Sequence, residues 1–143
     1  MYHEILGEIM YNYIWVRKYE LCIFGETETG FLNIIGEEEE EIEQSQIEAF
    51  KEFELLKSNL IKEIEKALFD YYQSVVCEYR DRYGDMADVM APIIDNVDDM
   101  KLLLKFEALN LPYSYSNNER IVGVLFKSAW EIEHGVAVKI ING

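Results

Sequence analysis

QIEAFKEFELLKSNLIKEIEKALFDYYQSVVCEYRDRY, residues 46–83, runs without a glycine or a proline. Within it Ile47, Phe50, Phe53, Leu60, Ile64, Leu68, Tyr71 and Val75 recur at helical spacing. That spacing predicts one long helix with a single apolar stripe turned towards a core. Glu63 and Lys66 fall on its other side, at a distance where helical side chains pair. Gly84 is the expected stop, and the length leaves room for a bend. The expected start is Ser45-Gln46-Ile47-Glu48, which fits a capping box: the Ser45 hydroxyl takes one free helix N–H and Glu48 reaches back to another.

Before the helix the chain reads as strands. Tyr13 to Phe24 is rich in β-branched and aromatic residues, Gly25 to Gly30 is a polar turn, and Phe31 to Ile35 is a second apolar run. Together they predict a β-hairpin, with Leu6 to Met10 as a short strand ahead of it. Beyond Gly84, Met86 to Ile94 reads as a short helix or irregular crossing, and Asn96 as the cap of a further short helix through Leu104. Leu109, Leu111, Tyr113 and Tyr115 alternate with polar residues and predict a half-exposed strand, placed at a sheet edge by Pro112. Asn117-Asn118 turns the chain into a closing strand pair, Arg120 to Lys127 and Val136 to Ile141. Strands, helices, then strands again point to an α+β fold. Its antiparallel sheet, built from N-terminal and C-terminal strands, packs on one long helix plus one or two short ones.

The chain has 143 residues, half of them hydrophobic, and no Gly/Ser-rich linker; a single domain over residues 1–143 is expected. Glu4 and Glu8 stand where a signal peptide would need basic and continuous apolar residues, so a cytoplasmic location is expected. Cys22 and Cys77 then read as buried thiols in a reducing compartment. With 28 acidic against 13 basic residues the formal charge is −15. Phosphate backbones and anionic membrane surfaces are poor partners for such a chain. A basic protein is a good one, because complementary fields speed encounter. Solubility alone also accounts for the acidity. The densest stretch is Glu37, Glu38, Glu39, Glu40 and Glu41. It reads either as a solvated loop that helps start the helix, through its dipole, or as a partner-binding strip.

Trp130, Glu131, Glu133, His134 and Gly135 are gathered between the closing strands. A carboxylate beside an imidazole can set its tautomer and begin an acid–base pair. Three readings follow: a structural turn with Trp130 buried and His134 hydrogen-bonded, a binding surface, or a catalytic pair. No nucleophile is tied to the turn by spacing, and Glu131, Glu133 and His134 are a thin supply for a metal. Asp95, Asp98 and Asp99 lack calcium-loop spacing. Neither a metal nor any other cofactor is expected.

The same residues carry a resemblance. Trp130-Glu131-x-Glu133-His134-Gly135-x-x-Val138 resembles the Trp-Asp-x-Glu-His-Gly-x-Gly-Val signature of a bacterial family of small uncharacterised domains. The likeness extends to Trp15 in the first strand pair, to Gln46, Ala49 and Phe53 at the helix start, and to Tyr71-Tyr72. Glu131 and Ala137 depart from the pattern, standing where Asp and Gly are usual. Similar small acidic domains recur among proposed immunity proteins of bacterial polymorphic toxin systems, and the resemblance implies that context. The leading reading is an acidic binding protein, of the immunity type, that occludes a basic toxin. The alternatives are a scaffolding domain whose acidity serves solubility, and an enzyme using Glu133 and His134.

Overall fold

The pattern at residues 46–83 becomes one helix, α1 (Gln44–Tyr83), in a computed structural model that describes residues 1–114 and 119–142. Its cap lies two residues earlier than expected, at Glu43, and Gln46 takes the role assigned to Glu48. The Gln46 side chain accepts a hydrogen bond from the Glu43 amide at 3.0 Å. Its Nε2 donates to the carbonyls of Ile35 at 2.7 Å and Leu111 at 2.8 Å. A carboxylate cannot donate to those carbonyls, so the amide side chain wins the position. At the other end Gly84, with φ 54°, takes the chain out of the helix and its N–H caps the Arg80 carbonyl.

The strands are β1 (Tyr2–His3), β2 (Gly7–Glu8), β3 (Met10–Tyr11), β4 (Trp15–Ile23), β5 (Glu26–Ile34), β6 (Leu104–Leu111), β7 (Arg120–Ser128) and β8 (Val136–Asn142). β1 and β2 form a small ribbon, and β3 to β8 form a six-stranded sheet in sequence order. Every pair in that sheet is antiparallel except β5–β6, which is parallel. The exception sits where α1 intervenes in the chain: a strand followed by a long crossover returns in the same direction. The fold is therefore α+β as expected, with a mixed rather than purely antiparallel sheet.

The hairpin turn is tighter than the sequence suggested. Only Phe24 and Gly25 lie between β4 and β5, both at positive φ (53° and 79°), as a two-residue primed turn requires. The buried Phe24 tolerates this conformation because Glu65 of α1 accepts its N–H at 2.7 Å and its ring enters the core. Gly30, expected in the turn, lies inside β5. A Cβ there would stand 2.5 Å from the Glu107 carbonyl oxygen and 2.7 Å from the Phe106 ring.

The strand expected at an edge near Pro112 is β6, in the interior of the sheet. It ends at Leu111, so Pro112 terminates the strand and interrupts no ladder. Between α1 and β6 run a 3-10 turn (Gly84–Met86), a short helix α2 (Ala87–Met90) and a second 3-10 segment (Val97–Leu102). Asn96 precedes that segment without a side-chain capping bond. The predicted turn at Asn117-Asn118 and the end of the predicted strand at Tyr115 lie outside the described residues.

One face of the sheet and α1 enclose the core. From α1 it takes Ala49, Phe50, Phe53, Ile64, Leu68, Tyr72 and Val76. The last turns thus bury Tyr72 and Val76 in place of the expected Tyr71 and Val75, and Tyr71 is 47% exposed. Both registers satisfy helical spacing after Leu68. Tyr72 is chosen because its ring meets Trp130 at 4.5 Å and its hydroxyl donates to the Pro92 carbonyl at 2.6 Å. On the outer side Lys66 pairs with Asp70 at 2.5 Å rather than with Glu63. Cys22 and Cys77 are free and exposed, not buried as expected. Among the described residues, no helix is long and apolar enough to cross a membrane.

Burial pushes the Tyr72 phenol up from its ordinary 10 to about 12, against a smaller lowering by Arg80. A folded pKa above the unfolded one contributes stability below pH 10 that is lost as pH rises through the folded value. Denaturant midpoints should therefore fall between about pH 10 and 12 more steeply in the wild type than in Tyr72→Phe. Equal slopes in the two proteins would refute this assignment.

Candidate functional site

The turn between β7 and β8 is built on Ser128, whose Oγ accepts the N–H groups of Trp130 at 3.2 Å and Glu131 at 3.1 Å. The Ala129 N–H donates to the Leu103 carbonyl at 2.9 Å. The last turns of α1 then grip the segment. Tyr83 donates its hydroxyl to the Trp130 carbonyl at 2.6 Å, and Tyr79 donates to the Glu131 carboxylate at 3.1 Å. Burial, and then that bond to Glu131, hold the Tyr79 phenol above its usual range. Trp130 is fully buried, and its indole N–H has no acceptor. Gly135, at φ 67°, donates its N–H to the Glu131 carbonyl at 3.0 Å and closes the turn.

Glu133 and His134 point the other way. Their side chains are 84% and 80% exposed, and Glu133 Oε2 lies 3.9 Å from His134 Nε2, beyond hydrogen-bond reach. Among the described residues, the expected hydrogen bond that would hold His134 in the turn is absent, because the turn is closed by backbone and tyrosine bonds on its inner side. His134→Ala should consequently change stability by less than about 0.5 kcal/mol, checked by denaturant titration; a larger loss would mean that the imidazole has a structural partner after all. Among the described residues, no three His, Cys, Asp or Glu side chains gather where they could hold a metal ion.

The second place is the loop between β5 and α1. Glu37, Glu38, Glu39, Glu40 and Glu41 are all exposed. The Glu40 N–H turns back to the Glu37 carbonyl at 3.2 Å. No described Lys, Arg or His forms an ion pair with any of the five. None lies in the first turn of α1, and dipole stabilisation falls off within that turn. Starting the helix therefore accounts for little of this charge.

Glu38 to Glu41 form one wall of an open cleft of about 440 Å³, completed by Met1, His3, Trp15, Ile42, Gln44 and Ile47. Trp15 reaches it through the strand register, which pairs Trp15 with Ile34 just before the loop begins. Its ring meets the edge of Tyr11 at 5.1 Å, the residue is 7% exposed, and its indole N–H has no acceptor among the described residues. Cδ1, beside that nitrogen, comes within 3.8 Å of where a Cβ on Gly36 would stand, so the pyrrole edge faces the root of the acidic loop. The Tyr11 phenol is raised by burial and then by Glu37, and that of Tyr113 by burial and then by Glu40 and Glu37.

A profile for a domain of unknown function, DUF6985, matches residues 5–143. The chain belongs to the DUF6985 family. No curated protein and no solved structure matches it. The expected kinship with an uncharacterised family is thereby shown. The match takes in both the acidic loop and the turn after β7. In this DUF6985 domain the two predicted places are not one site: the loop adjoins the N-terminus of α1, while Tyr79 and Tyr83 hold the turn at its C-terminus. No local pattern of residues marks Trp15 as standing against the glutamates. That adjacency comes only from the hairpin register.

Proposed function

We propose that this DUF6985 domain is a binding protein that captures a basic protein on its acidic loop. The finer form of the reading is an immunity-type inhibitor of a basic toxin in a bacterial polymorphic toxin system, acting in the cytoplasm. One observation carries it: five consecutive glutamates, exposed and without an ion-pair partner among the described residues, on a chain of charge −15. Consecutive like charges repel one another, so in folding terms such a loop is a liability. A partner of opposite charge converts it into a rate advantage, because steering raises association rates by roughly 10- to 1,000-fold.

Replacing Glu37 to Glu41 by glutamine removes five charges and no core contact. The immobilised wild type, incubated with lysate of the source cell, should retain a basic protein identified by mass spectrometry. The rate of association with that purified protein should fall steeply as salt rises, while dissociation changes less. The glutamine variant should associate at least about tenfold more slowly at low salt. Should the wild type retain no basic protein, or both forms bind equally at low and high salt, the acidity serves solubility alone. Protection of cells from a toxin encoded beside this gene tests the finer form.

A further inference from the structure

β8 ends the six-stranded sheet and pairs with β7 alone among the described strands. An edge strand presents a row of unpaired N–H and C=O groups, onto which one more strand can bond. Natural edges are usually blunted by charge, proline, a bulge or short length. The opposite end of the sheet follows that rule: β3 covers the first residues of β4, and Arg17, Lys18 and Glu20 charge the next ones. β8 does not. It is seven residues long in unbroken register, Val-Ala-Val-Lys-Ile-Ile-Asn, with one charge and no glycine or proline.

An open edge alone names no ligand, but a groove runs beside this one, between β8 and α1. Val136, Val138 and Ile140 share a face with the buried Phe126, Val124 and Val122, yet stay half exposed. Leu60, Ala67 and Tyr71 of α1 stand across from them. Two cavities, of about 460 and 270 Å³, lie along the groove and meet at Ala67 and Val138. Apart from Glu63 and Lys139 in the smaller one, their lining is apolar. A strand laid on β8 directs every second side chain into the groove, successive ones about 7 Å apart. Main-chain bonds to an edge, with pockets for alternate side chains, are how sheet edges recognise peptides. The side chain between those two lies on the other face of the sheet, where Ala137 and Lys139 point. Lys139 is exposed, faces Gly123 on β7, and has no ion-pair partner among the described residues. A carboxylate on the added strand gives it one.

We propose that β8 and this groove dock an extended segment of another protein as a seventh strand. The segment is apolar at two alternate positions, which enter the cavities, and acidic at the position between, which meets Lys139. The inference goes beyond the reading of the acidic loop and requires no basic residue in the partner. A second copy's β8 is a poor occupant, because it brings Lys139 no acid and two chains of charge −15 repel.

The probe is the acetylated and amidated peptide Ser-Thr-Ile-Glu-Ile-Thr-Ser, added to the ¹⁵N-labelled chain. It should shift the amide signals of residues 136–141 saturably and slow hydrogen exchange at alternate β8 amides, those not bonded to β7. Ser-Thr-Glu-Ile-Ile-Thr-Ser, with the alternation broken, should bind at least about tenfold more weakly, since one apolar side chain loses its cavity. Ala67→Arg places a long side chain in both cavities from an exposed helix position, four residues after Glu63. It should keep the folded spectrum and weaken binding at least about tenfold. Lys139→Glu should weaken the glutamate peptide at least about threefold and favour the same peptide with lysine in its place. No binding of the probe, binding without new protection in β8, equal affinity for the two sequences, or full binding to Ala67→Arg would each overturn the strand. A lysine peptide that gains nothing from Lys139→Glu would overturn the acidic position. Protection of the same amides that grows with protein concentration, without peptide, would make a second copy the occupant. The probe carries no basic residue, so its failure leaves the capture of a basic protein on the acidic loop to be judged by its own salt dependence.

Discussion

Trp130→Ala should lower the free energy of unfolding by roughly 3–5 kcal/mol, the usual loss when a fully buried large aromatic is truncated. Trp130 has no exposed surface, and its ring packs at 4.5 Å on Tyr72, itself fully buried. Its removal would open a cavity between the C-terminal half of α1 and the turn after β7, where Tyr79 and Tyr83 fix the helix to the loop. Trp130→Phe should be far milder, below about 1.5 kcal/mol. Phenylalanine keeps a ring against Tyr72 and deletes an indole N–H that has no acceptor, which relieves part of the lost contact. Chemical denaturation of the three proteins gives the comparison. Alanine and phenylalanine variants of equal stability would mean that the packing is not what holds the turn.

How much of this was legible beforehand depends on what each element answers to. α1 was legible because its period repeats many times in one direction, and its end at Gly84 needed only the local preference for a left-handed residue. The fork at Tyr71 or Tyr72 was not legible. Both fit the helix, and the choice was made by Trp130 and the Pro92 carbonyl, distant in sequence. The cap moved from Ser45 to Glu43 for a similar reason: Gln46 meets carbonyls at the ends of β5 and β6. Gly30 looked like a turn residue, yet it is a strand glycine set by the neighbouring backbone of Glu107. Local chemistry named the right residue types in each case, and long-range contacts fixed their places.

The candidate site divides along the same line. Trp130 and Gly135 were marked by their types and proved to be the buried anchor and the closing residue of one turn. Glu133 and His134 were marked by the same motif and stand in water, because the seven-residue turn between β7 and β8 has an outer side as well as an inner one. Glu37 to Glu41 were conspicuous in the sequence, but the cleft that Glu38 to Glu41 border was not, since Trp15 is brought to them only by the pairing of β4 with β5. An acidic run alone reads as a solvated loop.

Gly135→Ala adds a single methyl group and should still be among the most damaging small changes in the chain. At φ 67° a side chain has roughly 1–2 kcal/mol of left-handed strain to absorb. Gly84, at φ 54° and ψ −116°, has nothing within 4 Å of its Cβ position, so alanine there meets backbone strain without a collision. Gly135 adds a collision, because its Cβ would stand closer to the Phe126 carbonyl oxygen than real Cβ atoms come. The oxygen belongs to the backbone of β7, held in register where Phe126 pairs with Val136, the first residue of β8. It cannot swing aside as a side chain would, and forcing it adds about 1–3 kcal/mol of overpacking. The expected loss for Gly135→Ala is therefore the dihedral strain plus the overpacking increment, about 2–5 kcal/mol in denaturant titration. A loss no larger than about 1–2 kcal/mol would show that the β7–β8 turn yields without resistance, and that Gly135 is required only for its dihedral angle.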